Sequence, residues 1–183
     1  MDLFEAIKVR RSIRQYKSTP VSDKDLNTIL EAARWAPSWA NTQCWRFIIV
    51  RDNETKNKLA STLPSTNRAG EGIRNAPITI VACAELKKAG YFSGEARSDK
   101  GDWFMYDVAL AVEHVCLAAT ALGLGTVHIG LFDAKLAAAI LNIPQGFEVV
   151  MMTPLGYPEG EGRVTNRKEL TEIVFNEKFG NSK

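Results

Sequence analysis

Apolar residues recur at Leu3, Phe4, Ala6 and Ile7 directly behind Asp2, a spacing that predicts a short helix capped by Asp2. Lys17 to Pro20 reads as a turn. Ser22 and Asp25 resemble a capping box, with Asp in place of Glu. A second helix follows, with Leu26, Ile29, Leu30 and Ala33 on one face, and Pro37 ends it. Phe47 to Val50 is a β-branched run that predicts a buried strand. A polar helix is expected from Asn53 to about Leu63, capped by Asn53, and residues 64–75, with Gly70 and Gly72, read as loop. Pro77 to Ala84 predicts a second buried strand. Residues 87–101, rich in Gly, Ser and charge, read as a surface connection or a mobile lid, with the surface connection favoured.

The longest helix is expected from Asp102 to about Leu122. Its polar positions, Asp107, Glu113/His114 and Thr120, form one narrow stripe, so the helix should be buried nearly all round, in the domain centre or a subunit interface. His114 on that stripe reads as a satisfied structural histidine. Gly123 to Gly125 ends the helix. Thr126 to Ile129 predicts a strand, and Gly130 leaves room for a ligand to approach the backbone. Asp133 caps a helix over 135–141, Phe147 to Met152 predicts another strand, and residues 155–162 form a glycine-rich turn. Residues 170–179 carry five apolar positions and need a surface to lie on, in this chain or a partner. Strands interspersed with helices predict an α+β or α/β sandwich with the sheet covered by helices.

The chain has 183 residues, 45% hydrophobic and 24% charged, enough for one domain, 1–183, with a sizeable core. A net charge of +2 gives no ground for a nucleic-acid partner. Three scattered cysteines fit a reducing, cytoplasmic compartment better than a disulfide framework. Two histidines without ligand-like spacing to cysteine offer no readable metal site. No signal-peptide core or membrane span is expected. GxGxxG, GxxxxGK[ST] and GxSxG are all absent, so no Rossmann, P-loop or nucleophile-elbow reading stands.

Two stretches carry chemistry. Arg10, Arg11, Ser12 and Arg14 put three permanent cations and a hydroxyl within five residues. They read either as a solvated basic turn or as a site for an anionic, planar ligand. The segment 36–45 carries Trp39, Trp45 and several hydrogen-bonding side chains. It is either a loop that packs on something or a seat for a flat heterocycle with polar edges.

Arg10-Arg11-Ser12-Ile13-Arg14-Gln15-Tyr16, Ala36-Pro37-Ser38-x-x-Asn41-x-Gln43-x-Trp45 and Asn75-Ala76-Pro77 fit one pattern. So do Leu117-Ala118-Ala119-x-x-Leu122-Gly123-Leu124-Gly125-Thr126, Leu155-Gly156-Tyr157-Pro158 and Arg167-Lys168. In order and spacing, over nearly the whole chain, they resemble the FMN-dependent nitroreductase family. The resemblance implies a three-layer α-β-α sandwich around a mostly antiparallel sheet, with a long buried helix and a C-terminal tail reaching a partner. It implies a homodimer with FMN at the interface, and hydride transfer from NAD(P)H to nitroaromatics, quinones or similar flat acceptors by ping-pong turnover. Arg10, Ser12, Arg167 and Lys168 would hold the phosphate and ribityl chain, and Arg11 and Arg14 the pyrimidine edge. Pro37, Ser38 and Asn41 would reach in from the other subunit. The Gly130 N–H would approach flavin N5, with His128 and Ile129 lining the ring. No catalytic side chain is needed, because the flavin carries the chemistry. Cys44, where the family often has proline, and the bulky Trp39 depart from the pattern, and Trp39 bears on substrate size. A flavin storage or sensing protein, or a flavin-fragmenting or dehalogenating relative, shares the same motifs.

Overall fold

A computed structural model describes residues 1–181. Four strands form one antiparallel sheet: β1 (Trp45–Val50), β2 (Ile78–Glu85), β5 (Gly125–Thr126) and β6 (Phe147–Gly156), in the order β1-β2-β6-β5. A separate hairpin, β3 (Tyr91–Phe92) with β4 (Glu95–Ala96), occupies the expected surface connection. The helices are α1 (Leu3–Val9), α2 (Asp23–Arg34), α3 (Asn53–Ala60), α4 (Ala69–Asn75), α5 (Phe104–Ala121), α6 (Ala134–Ile140) and a single turn, α7 (Leu170–Ile173).

Alternation along β2 divides the core. Ile78, Ile80, Ala82 and Ala84 face α2 and α5, whereas Val81 and Cys83 face the side covered by α3, α4 and α6. The result is the expected three-layer α-β-α sandwich. A register shift between Ala82 and Cys83 skips Val150 on β6 and bends that strand. β6 runs four residues beyond its expected end, through Pro154, which lies opposite Thr79.

Caps form where the sequence offers them. Asp2 accepts from the Glu5 N–H at 2.9 Å, Ser22 from Asp25 at 3.0 Å and Asp133 from Leu136 at 2.9 Å. α3 departs by one residue, because Asp52 and not Asn53 is the cap, taking the Thr55 N–H at 2.7 Å. Residues 64–75 depart further, since they contain α4. Gly70 and Gly72 lower helix propensity, but Gly72 lets α4 approach the arginine segment. A Cβ there would meet the Arg14 carbonyl oxygen at 3.2 Å and the Tyr16 ring at 3.3 Å. The strand expected over 126–129 is only β5 plus one bridge, Ile129 to Met152.

α5 begins two residues later than expected, after the Asp102 carboxylate accepts the Phe104 N–H. Its length and composition would allow it to cross a membrane, but here it packs on α2, α1 and the sheet. Within one chain it is buried on one side only. Met105, Tyr106 and Leu122 remain exposed, as do Leu3, Phe4 and Ile7 of α1 and Leu170, Ile173, Val174 and Phe179 of the tail. His114 is structural, as expected, with Nδ1 3.0 Å from the Ala32 carbonyl.

The segment carrying the arginines is sewn to the end of the sheet. The Ile13 N–H donates to the Thr126 carbonyl at 2.9 Å and the Lys17 N–H to Tyr157 at 2.9 Å. Buried Tyr16 donates its hydroxyl to the Ile13 carbonyl at 2.6 Å. Close approach here depends on glycine: a Cβ on Gly125 would lie 2.7–2.9 Å from three Ile13 side-chain atoms. Gly125→Ala should therefore lower stability by about 1–3 kcal/mol through overpacking. Urea unfolding would measure this, and an unchanged midpoint would show that Ile13 yields freely.

Candidate cofactor site

Beside that segment lies a cavity of about 630 Å³ lined by Arg10, Arg11, Ser12, Arg14, Arg163 and Arg167, with Thr66, Asn67, Arg68 and Thr165. Six guanidinium groups share it, and among the described residues no carboxylate lines it. A neighbouring cavity of about 870 Å³ shares Ser12, Arg14, Asn67, Arg68 and Arg163 and extends toward Glu71 and Arg74. Glycine again sets the spacing, since a Cβ on Gly162 would stand 2.4 Å from Arg11 Cβ.

The arginines are held differently. Arg11 donates to the carbonyls of Lys8 and Arg10 at 2.5 and 2.8 Å, turned back on the end of α1. Arg167 donates to Thr165 Oγ1 at 2.7 Å. Arg14 makes only a long 3.4 Å contact with the Ser12 carbonyl. Arg10 Nε lies 3.9 Å from Glu113 Oε1. Among the described residues, Arg11, Arg14, Arg68, Arg163 and Arg167 have no carboxylate within ion-pair distance. Mutual repulsion in a shared cavity favours an anion there.

The expected site residues are only partly brought together. Arg10, Arg11, Ser12, Arg14 and Arg167 share the cavity, while the exposed Lys168 does not line it. His128 joins them indirectly: its Nε2 lies 3.5 Å from Glu113 Oε2 and 3.2 Å from Cys116 Sγ. The contact with Cys116, and then that with Glu113, pulls the imidazole pKa up to about 10. Ile129 is buried and fixed by two hydrogen bonds with Met152, at 2.9 and 3.1 Å. Gly130 follows it at the surface, where a Cβ would meet nothing within 4 Å.

Pro37, Ser38 and Asn41 line neither cavity. Their loop makes a 3-10 turn, Trp39–Asn41, with positive φ at Ala40 (43°), Asn41 (56°) and Gln43 (47°). Three non-glycine residues in that region imply strain that something must hold. The holder is Asp107, fully buried, whose carboxylate accepts the Trp39 N–H at 3.1 Å on both oxygens. Thr42 Oγ1 lies at 3.5 Å and Cys44 Sγ at 3.8 Å from the same carboxylate. Burial raises the Asp107 pKa, and burial with Asp107 beside it pushes the Cys44 thiol up to about 12. The Trp39 ring leans on Trp103 with centroids 5.1 Å apart, and Trp103 meets Tyr106 edge-on at 5.6 Å.

Sequence reading missed Asn67, Arg68, Glu113, Cys116 and the role of Asp107. Asn67 and Arg68 carry no local signal, because only the folding of α4 onto the arginine segment brings them in. A lone Asp six positions before Glu113 in an otherwise apolar helix is a signal, since a buried charge needs donors.

The nitroreductase family model matches residues 7–157. The chain belongs to the nitroreductase family. A relative from Archaeoglobus fulgidus, provisionally named a NADH dehydrogenase/NAD(P)H nitroreductase, is 35% identical over 164 residues, covering 87% of each chain. A solved nitroreductase family protein from Clostridium novyi NT superposes with a TM-score of 0.78 at 33% identity, covering 100% of this chain and 97% of that one. An FMN-dependent nitroreductase from Clostridium difficile R20291 gives 0.79 at 27% identity, covering 96% and 99%. As a nitroreductase-family chain it is an oxidoreductase of the three-layer fold described above.

Replacing Asp107 by Ala would leave the Trp39 N–H without its acceptor and release the strained turn. A loss of about 1–3 kcal/mol is expected, together with altered tryptophan fluorescence as Trp39 leaves Trp103. Thermal melts and emission spectra measure both, and wild-type values in each would show that the loop holds itself.

Proposed function

We propose that this chain is a homodimeric, FMN-dependent oxidoreductase that passes hydride from NAD(P)H to small flat acceptors such as nitroaromatics or quinones, in two half-reactions. The observation that carries this reading is the cavity walled by six arginines with no lining carboxylate. A phosphorylated, planar, electron-accepting cofactor matches it in charge, and the cavity volume lies in the usual range for such ligands. The names of the Archaeoglobus relative and the Clostridium difficile structure supply the nicotinamide and the FMN.

FMN, when bound, supplies the hydride chemistry. The chain's residues bind, orient and set charge. Arg10, Ser12 and Arg167 hold the phosphate end by charge-assisted hydrogen bonds, with Lys168 nearby in sequence. Arg14 is better placed than Arg11 to face the pyrimidine edge, because Arg11 is engaged by the carbonyls at the end of α1. A fixed guanidinium there stabilises negative charge that develops during reduction. Asn67 and Arg68 share that wall. Ile129, tied to Met152, fixes the backbone from which the Gly130 N–H would donate to the bound flavin, and His128 would line its ring.

The dimer reading rests on unpartnered apolar surface. Phe4 is 74% exposed and Phe179 92%, and α1, α5 and the tail each present more. Apolar area of that extent marks an interaction surface. A partner covering α1 and α5 lies beside the arginine cavity, since Arg10 caps α1. It brings its own Pro37–Asn41 loop, which the cavity of the same chain does not use. No side chain need act as acid or base; solvent supplies protons.

The purified protein should be yellow and bleach anaerobically on addition of NADH or NADPH. A yellow protein bleached by neither would overturn the nicotinamide-reductase reading and favour a storage, sensing or otherwise specialised flavoprotein. Arg14→Ala should leave the dimer intact in size-exclusion chromatography. It should weaken FMN binding by roughly ten- to a hundredfold, as expected for losing one charge-assisted contact, and slow reduction. Wild-type affinity and rate in that variant would refute the role given to Arg14.

A further inference from the structure

We propose that Glu113, Cys116 and His128 form a binding site for one transition-metal ion of the Zn²⁺ class per chain. Glu113 and Cys116 stand three residues apart on α5 and so share a face. His128 arrives from the segment just after β5, held by the hydrogen bonds between its neighbour Ile129 and Met152. One ligand atom from each of the three lies within 4.8 Å of the others.

A thiol, an imidazole and a carboxylate also suggest a nucleophilic triad, but the geometry opposes it. In a triad the carboxylate orients the base through one ring nitrogen while the other faces the nucleophile. Here Glu113 Oε2 and Cys116 Sγ both approach Nε2, at 3.5 and 3.2 Å. Three ligand atoms clustered on one side of the imidazole suit a metal ligand set better than a relay. Bond lengths of about 2.0–2.3 Å in a tetrahedral site put neighbouring ligand atoms roughly 3.3–3.6 Å apart. The two separations from His128 Nε2 need only a few tenths of an ångström of adjustment, and the Glu113 and Cys116 ligand atoms lie within 4.8 Å of each other.

Thiolate with imidazole and one carboxylate selects a borderline-soft ion over Mg²⁺ or Ca²⁺. Cys116 lies at the buried end, while the side chains of Glu113 and His128 are 46% and 42% exposed within one chain. Arg10 approaches Oε1 of Glu113, leaving Oε2 for the ion, and so orients the ligand from outside. The ligand set does not depend on the flavin reading. The two sites touch through Arg10, which also lines the anion cavity, and through His128, which the flavin reading places beside the ring.

The test uses the purified protein after chelator treatment and buffer exchange, titrated with Zn²⁺ by calorimetry and with Co²⁺ by absorbance. One equivalent per chain is expected, and Co²⁺ should give tetrahedral ligand-field bands to the red of oxidised flavin absorption. Glu113→Gln and His128→Asn, at partly exposed positions, should each weaken binding by at least about tenfold. Cys116→Ser should also abolish the thiolate-to-Co²⁺ charge-transfer band, if that buried substitution folds by circular dichroism. No stoichiometric binding, or wild-type affinity in both Glu113→Gln and His128→Asn, would overturn the proposal. A colourless protein that still shows the Co²⁺ bands would leave this site standing and remove the flavin reading. A yellow one without them does the reverse.

Discussion

Six guanidinium groups around one cavity repel one another, and backbone hydrogen bonds hold the segment that bears half of them. Ile13 to Thr126 and Lys17 to Tyr157 tie that segment to the end of β5 and to the residue just after β6. Around these bonds, glycines at 125 and 156 allow contact closer than a Cβ permits, and Gly72 a contact where a Cβ would be tight. The sheet thus supplies fixed backbone, and the backbone fixes like charges that would separate in a flexible loop. Preorganised charge is the form of electrostatics that works best in a site, because little reorganisation is needed when an anion arrives.

α5 serves as the second frame. Its apolar side faces α2 and the sheet. Its few polar residues are spaced along its length, and three of them, Asp107, Glu113 and His114, reach out to other segments. Asp107, in the first turn, holds the 38–44 loop in strained backbone, and Glu113, two turns on, connects Arg10 to His128. A carboxylate in an apolar helix is costly unless donors surround it. At Asp107 the donors come from the loop, so burial and loop geometry are one constraint.

The sequence shows those parts of the fold that depend on local pattern. Ser22, Asp2 and Asp133 are caps in both readings, and β1, β2, α2 and α5 follow from runs or periodicity. α4 was hidden because Gly70 and Gly72 are poor helix formers whose purpose, room for Arg14 and Tyr16, exists only after folding. β6 passes through Pro154, which reads as a strand end until its place opposite Thr79 is seen. In the site, Arg10, Arg11, Ser12, Arg14 and Arg167 were visible as chemistry. Arg68 and Asn67 were not, since a single arginine in a polar stretch has no distinguishing neighbours. α5, read as buried in the domain centre or a subunit interface, is buried on one side within a single chain. The same apolar residues that fill the core on one side leave Met105, Tyr106 and Leu122 open on the other.

That two-sidedness joins the fold to the proposed function. An isolated chain carries a charged cavity, a strained aromatic loop that this cavity does not use, and apolar faces on α1, α5 and the tail. In the proposed dimer a second copy would complete all three. A partner covering α1 would lie next to Arg10, because the helix and the arginine are continuous in the chain. Its loop would arrive already shaped by its own Asp107. Apolar burial between subunits would then provide the association energy, leaving the arginines free to recognise the cofactor.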